Sequence, residues 1–232
     1  MAFDMWEPVY RSILADFGYE RAGDERARDR LDELLESSNV EGFDRLDLDG
    51  KTVAIAGAAP GLESELDRVR SADAVVAASD AATRLRTVGC AVDCMVTDLD
   101  KRPDTARELA ADGKPVAIHA HGDNVPALDR HVPTIEHEQL IPTTQARPIC
   151  QVRNFGGFTD GDRAAFLADA LGADRLVFPG WDFEDPSVGA EKRRKLLWAA
   201  RLLYWLERRR DEEFDVLDQR RESTDTSFLD RR

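Results

Sequence analysis

The order of apolar and polar positions changes character near residue 50. Before it, Trp6, Tyr10, Ile13, Leu14 and Phe17 recur at helical spacing, as do Leu31, Leu34 and Leu35. This predicts a helical segment over 1–47, packed as a cap on a main domain. After it, short apolar runs alternate with amphipathic stretches of about ten residues. "KTVAIAG", "ADAVVAASD", "VDCMVTD", "KPVAIHAHGDN", "PICQVRNFGG" and "ADRLVFPG" read as strands or strand ends. Between them "PGLESELDRV", "AATRLRTVG", "PDTARELAADG", "VPALDRHV" and "DGDRAAFLADALG" read as helices. Such alternation predicts an α/β domain over 48–210, three layers with a mainly parallel sheet and helices on both faces. The closing helix, "EKRRKLLWAARLLYWLERRR", carries Leu196, Ala199, Ala200 and Leu203 on one stripe. Residues 211–232 read as a polar C-terminal tail that frays.

With 232 residues, 42% hydrophobic and 34% charged, the chain is long enough for one good core. No apolar run approaches the roughly 20 residues of a membrane span. The start, "MAFDMWEPVY", lacks the basic region and apolar centre of a signal peptide. Cys90, Cys94 and Cys150 have no CxxC spacing, which argues against a disulfide framework and for a reducing, cytoplasmic setting. The net charge of −14 disfavours nucleic acid and anionic membrane as partners. Lysine stands only at 51, 101, 114, 192 and 195. An acidic, lysine-poor surface resembles that of salt-adapted archaeal proteins, so the net charge speaks to solubility more than to substrate. The expected partners are small molecules, with a homo-oligomer left open.

Ligands of an open α/β sheet bind beyond the carboxyl ends of its strands. The first predicted strand ends in "GAAPGLE", where Gly57 and Gly61 form either a tight turn or a backbone cradle for phosphate. The second ends at Asp80, which caps the next helix or faces a ligand. The third ends in Asp98 and Asp100, read as sharing one side of an extended chain. The fourth ends in His119, His121, Asp123 and Asn124. Like charges gathered this way raise each other's pKa and call for a divalent cation, and oxygen-only ligands favour magnesium. His119 and His121 with Asp123 and His137 also allow a zinc reading, though no further ligand motif appears. In "NFGGFTDGDR", Thr159 or Asp160 caps a helix, and the preceding Gly156 and Gly157 suggest that a ligand approaches the backbone closely.

The ordered motifs "ASDAAT", "VTDLDK", "IHAHGDN", "NFGGFTDGDRA" and "GWDF" resemble those of the archaeal 6-hydroxymethyl-7,8-dihydropterin pyrophosphokinases, a family related in fold to the catalytic domain of thiamin pyrophosphokinases. The resemblance spans about residues 51–206. It implies magnesium-dependent transfer of diphosphate from ATP to a reduced pterin, with release of AMP, in folate-type or methanopterin-type coenzyme synthesis. By position it implies Asp98, Asp100, Asp80 and Asp123 as the metal-side carboxylates. His119, His121, Asn124, Thr159, Asp160, Asp162 and Arg163 fall on the family's polar motif positions. Lys101 departs from the pattern, standing where glycine commonly follows the acidic pair.

Chemically, attack on the β-phosphorus needs neutralised phosphates and in-line positioning. Asp123 or His121 is the candidate acceptor of the hydroxyl proton, and Arg153, Arg163 and Lys192 are candidate phosphate cations. Asn154, Phe155, Gly157 and Trp181 are candidates for the flat substrate's slot. Two rivals remain: a haloacid-dehalogenase-type phosphatase with Asp98 as nucleophile, and a non-catalytic nucleotide-binding module. Lys101 and Arg102, where the phosphatase motif commonly has Gly-Thr, weigh against the first.

Overall fold

Strands β1 (Thr52–Ala56), β2 (Ala74–Ala78), β3 (Cys94–Thr97), β4 (Val116–Ala120), β5 (Leu140–Thr144) and β6 (Arg175–Val177) form one sheet in the order β5-β4-β3-β2-β1-β6. Every neighbouring pair is parallel. The computed structural model describes residues 1–229; the last three positions of the expected tail lie outside the described residues. Side chains alternate between two cores: Val53 and Ile55 face one, Ala54 and Ala56 the other. A sheet covered on both faces explains why its strands read as continuous apolar runs.

From β1 to β5 each strand is laid beside the last, so the crossovers fall on one face. Helices α4 (Leu66–Arg70), α5 (Ser79–Thr87), α6 (Pro103–Ala111) and α7 (Val125–His131) lie there, burying Val69, Leu85, Leu109 and Leu128. The chain then returns across the other face through α8 (Asp160–Ala170), which sets β6 beside β1. Helix α9 (Ala190–Arg210) packs with α8 on that face, burying Leu202 and Leu203. The N-terminal pair is split between the layers. Helix α1 (Phe3–Phe17) places Trp6 and Tyr10 in the α8–α9 core, while α2 (Arg21–Leu35) places Leu31 and Leu35 in the other. A one-turn helix, α3 (Gly42–Arg45), leads into β1. Among the described residues no helix is long and apolar enough to cross a membrane.

Three local expectations are corrected. The fifth strand is Leu140–Thr144, in register with β4 over five positions, and not "PICQV". It tolerates Pro142 because it is the sheet's edge. The stretch "PICQV" instead folds back on itself through an Ile149–Val152 bridge, with Cys150 at φ 40°. "PGLESELDRV" splits into a tight turn at Leu62–Glu65 and the short α4. The segment after Arg210 is docked rather than frayed: Phe214 and Leu217 are fully buried, and Arg221 pairs with the buried Glu207 at 2.9 Å.

Candidate active site

β3 ends at Thr97, whose hydroxyl accepts the Leu99 N–H at 2.9 Å. Leu99 is buried and left-handed, at φ 64°. This turn, not an extended chain, brings Asp98 and Asp100 together, and the Asp100 N–H donates to Asp98 Oδ1 at 3.2 Å. The other oxygen, Asp98 Oδ2, lies 3.2 Å from His121 Nε2, and His121 Nδ1 lies 3.0 Å from Asp123. Asn124 ties the two strand ends. Its Nδ2 donates to the Asp98 and His119 carbonyls, and its Oδ1 accepts the His121 N–H.

From the opposite layer, the first turn of α8 brings in Asp160 and Arg163. Asp160 accepts from Ser79 Oγ at 2.8 Å and pairs with Arg163 at 3.3 Å. Burial pushes Asp160 up, and the Asp98 charge adds to the push. Burial acts in the same direction on Asp98, but the hydrogen bonds from His121 and Asp100 and the Arg163 charge outweigh it and hold Asp98 well below the usual carboxylate range. Asp100 pays the electrostatic consequence: its hydrogen bond to Asp98, with burial and the Asp98 charge, raises it to about 7. Two carboxylates held against their repulsion are a donor set suited to a hard divalent cation such as magnesium. Among the described residues no three His, Cys, Asp or Glu side chains gather closely enough to enclose a metal. Magnesium does not need such a cage, because water and phosphate oxygens complete its shell.

Asp80, in the first turn of α5, pairs with Arg102 at 2.8 Å and with Lys101 at 3.8 Å. Asp123 and Lys192 are exposed. Thr159 and Asp162 form a capping box at the start of α8, in which Asp162 Oδ1 accepts two backbone N–H groups at 2.7 Å. Burial raises Asp162 to about 6. Gly57 meets the β6 end of the sheet, where a Cβ would come within 2.5 Å of the Gly180 carbonyl. Trp181 donates from Nε1 to the Ile55 carbonyl at 2.8 Å and packs against Gly161. Gly61 is exposed. Asn154 is engaged in its own loop, donating to the Ala146 carbonyl and accepting from the Gly156 N–H. Phe155 stacks on Phe43 at 5.5 Å. Gly157, at φ 94°, lets the loop press on α8, where a Cβ would sit 2.6 Å from the Arg163 Cα. The fold thus brings Asp98, Asp100, His121, Asp160 and Arg163 together, sets Gly57 and Asp80 in other contacts, and leaves Gly61 at the surface.

One part of the support has no signal in the sequence. Asp24, in the polar stretch "RAGDERARD" of α2, is buried. It accepts from Tyr10 Oη at 2.6 Å, from Gln145 Nε2 at 2.8 Å and from the Gly122 N–H at 2.8 Å. Gln145 in turn accepts from Arg163 at 3.4 Å. The N-terminal helices therefore brace both the His121 loop and Arg163.

Comparison with known proteins agrees with the run of motifs. Residues 25–187 match the MptE-like 6-hydroxymethylpterin diphosphokinase family. A 6-hydroxymethyl-7,8-dihydropterin pyrophosphokinase of Methanothermobacter thermautotrophicus is 40% identical over 228 residues, covering 91% of this chain and 97% of its own. Proteins of the same name from Pyrococcus furiosus and Methanocaldococcus jannaschii are 36% and 31% identical, covering 89% and 90% of this chain and 94% and 97% of their own. Matched over most of its length by family and relatives alike, this chain belongs to the MptE-like 6-hydroxymethylpterin diphosphokinase family.

Proposed function

We propose that this protein transfers diphosphate from ATP to the hydroxymethyl oxygen of 6-hydroxymethyl-7,8-dihydropterin and releases AMP, in the synthesis of a folate-type or methanopterin-type coenzyme. The observation that carries the reading is the Asp98–Asp100 pair, forced together by the turn at Leu99 with Asp100 raised to about 7. Asp98 and Asp100 would hold magnesium, which supplies charge neutralisation on the ATP phosphates when bound. Asp80 stands by as a further carboxylate, through exchange of its lysine and arginine partners.

In the reaction the pterin hydroxyl oxygen bonds to the β-phosphorus, and the bond from that phosphorus to the bridging oxygen of AMP breaks. Asp123, exposed and oriented by His121 Nδ1 at 3.0 Å, takes the hydroxyl proton. Asn124 keeps the β3 and β4 ends at fixed separation, so that this base and the carboxylate pair face one substrate. Lys192, whose charge reaches Asp160 from the first turn of α9, adds positive charge for phosphate. The setting is the cytoplasm, where ATP is supplied, and the acidic, lysine-poor composition is an adaptation to concentrated salt.

The test is incubation with ATP, magnesium and 6-hydroxymethyl-7,8-dihydropterin, with nucleotides separated by chromatography. Formation of AMP with the pterin diphosphate is expected. Release of ADP or inorganic phosphate alone, or a covalent aspartyl-phosphate at Asp98, would replace the reading with a phosphatase one.

A further inference from the structure

Beneath Phe155, between the end of β4 and the start of α8, lies a narrow cavity walled by Val96, Ala117 and Leu167 and by the polar His119, Thr143 and Arg163. Two of those side chains present unsatisfied atoms. His119 is 2% exposed and Arg163 7% exposed, yet neither His119 Nε2 nor Arg163 Nε has a hydrogen-bond partner of normal geometry, the Gln145 side chain being within reach of the His119 ring but already engaged by Asp24 and Arg163. An orphaned buried polar atom forfeits its hydration without a replacement bond, and two at one cavity point to a missing partner.

The neighbouring bonds decide what that partner is. Thr143 Oγ1 has one hydrogen, and it is donated to the Ile118 carbonyl at 3.0 Å. The same oxygen lies 3.0 Å from His119 Nδ1, so it must accept from an Nδ1–H. His119 is then the tautomer with a lone pair on Nε2, and burial holds the ring neutral. Arg163 uses Nη1 on Asp160 and Nη2 on Gln145, leaving Nε–H as a donor. The cavity therefore offers one acceptor and one donor in an apolar frame. That pattern complements a flat heterocycle whose edge carries an N–H beside a carbonyl, as the lactam edge of a pterin does.

We propose that His119 Nε2 and Arg163 Nε read the heteroatom edge of the pterin ring, and that Phe155 covers that seat. The proposal rests on the function given above and identifies where the acceptor substrate of that reaction is recognised. In the present state the seat has about 10 Å³ of room, enough for about one water, so the ring enters by displacing Phe155. That side chain also lines a larger neighbouring cleft of about 450 Å³, which gives it somewhere to go. It is followed by Gly156 and Gly157, both at positive φ, 97° and 94°. Arg163 is thereby assigned to the pterin rather than to ATP phosphate.

The experiment measures 6-hydroxymethylpterin binding by quenching of its fluorescence, and magnesium–ATP binding by calorimetry, in wild type, Arg163→Lys and His119→Phe. Arg163→Lys keeps the charge and loses the Nε–H; His119→Phe keeps the shape and loses the acceptor. Each is expected to weaken pterin binding at least tenfold and to leave the ATP Kd within twofold. Unchanged pterin binding in both variants overturns the proposal, as does a matching loss of ATP affinity, which would return Arg163 to the phosphates. Thermal unfolding verifies that the variants fold, and if His119→Phe does not, Arg163→Lys decides alone. Failure of the wild type to bind the pterin or to form AMP would instead strike the proposed function itself.

Discussion

Leu99 illustrates what a single residue carries at this site. A buried, branched side chain in the left-handed region costs about 1–2 kcal/mol, and the fold sustains it where a tight turn joins two acids. The result is a carboxylate pair whose second member is raised to about 7. Asp98→Asn and Asp100→Asn are each expected to lower turnover at least tenfold, over about 1.4 kcal/mol of transition-state stabilisation, with the melting temperature retained. Steady-state kinetics beside a thermal melt provides the measurement, and near-wild-type turnover in both would remove the metal-holding role. The pairing of these acids was legible as Asp-x-Asp after an apolar run. Its geometry was not, since an alternating pattern predicts extended chain and gives no sign that Leu99 turns left-handed.

At the level of elements, the N-terminal helices are more than a cap. Helix α1 supplies Tyr10 and α2 supplies Asp24 to a buried junction with Gln145 and Gly122. Asp24→Ala would leave a hydroxyl, an amide and a backbone N–H without their acceptor, so a loss of about 3 kcal/mol is expected. Urea unfolding measures it; a loss under about 1 kcal/mol would mean that the junction does not brace the fold. Helical spacing announced both helices through Trp6, Tyr10, Leu31 and Leu35. It left Asp24 in what reads as a solvated face, because a buried carboxylate with three partners looks like any other acid in a polar run. The fifth strand is hidden in the sequence for a related reason. Pro142 argues against a strand unless the strand is at an edge, and edge position is a property of the sheet rather than of the segment.

Across the whole molecule, 46 acidic residues face 32 basic ones, leaving a net charge of −14 that the compact state must hold together. Self-repulsion of this kind is screened by salt over distances of about 10 Å at 0.1 M. The melting temperature is therefore expected to rise by several degrees between 0.1 M and 1 M potassium chloride. A fall would show that the surface ion pairs, such as Arg30–Asp129 and Arg86–Asp112, outweigh the general repulsion. By itself the sequence determined the layered α/β class, the positions of five of the six strands, and the acids at the strand ends. Those depend on periodicity and on local chemistry, which the chain carries along its length. Only the tertiary structure decided that α8 sets Asp160 and Arg163 against the ends of β3 and β4, and that Asp24 braces the His121 loop. It also decided that Gly157 serves packing against α8. These depend on the return crossover and on contacts across two layers, where residues far apart in sequence share one low-dielectric space.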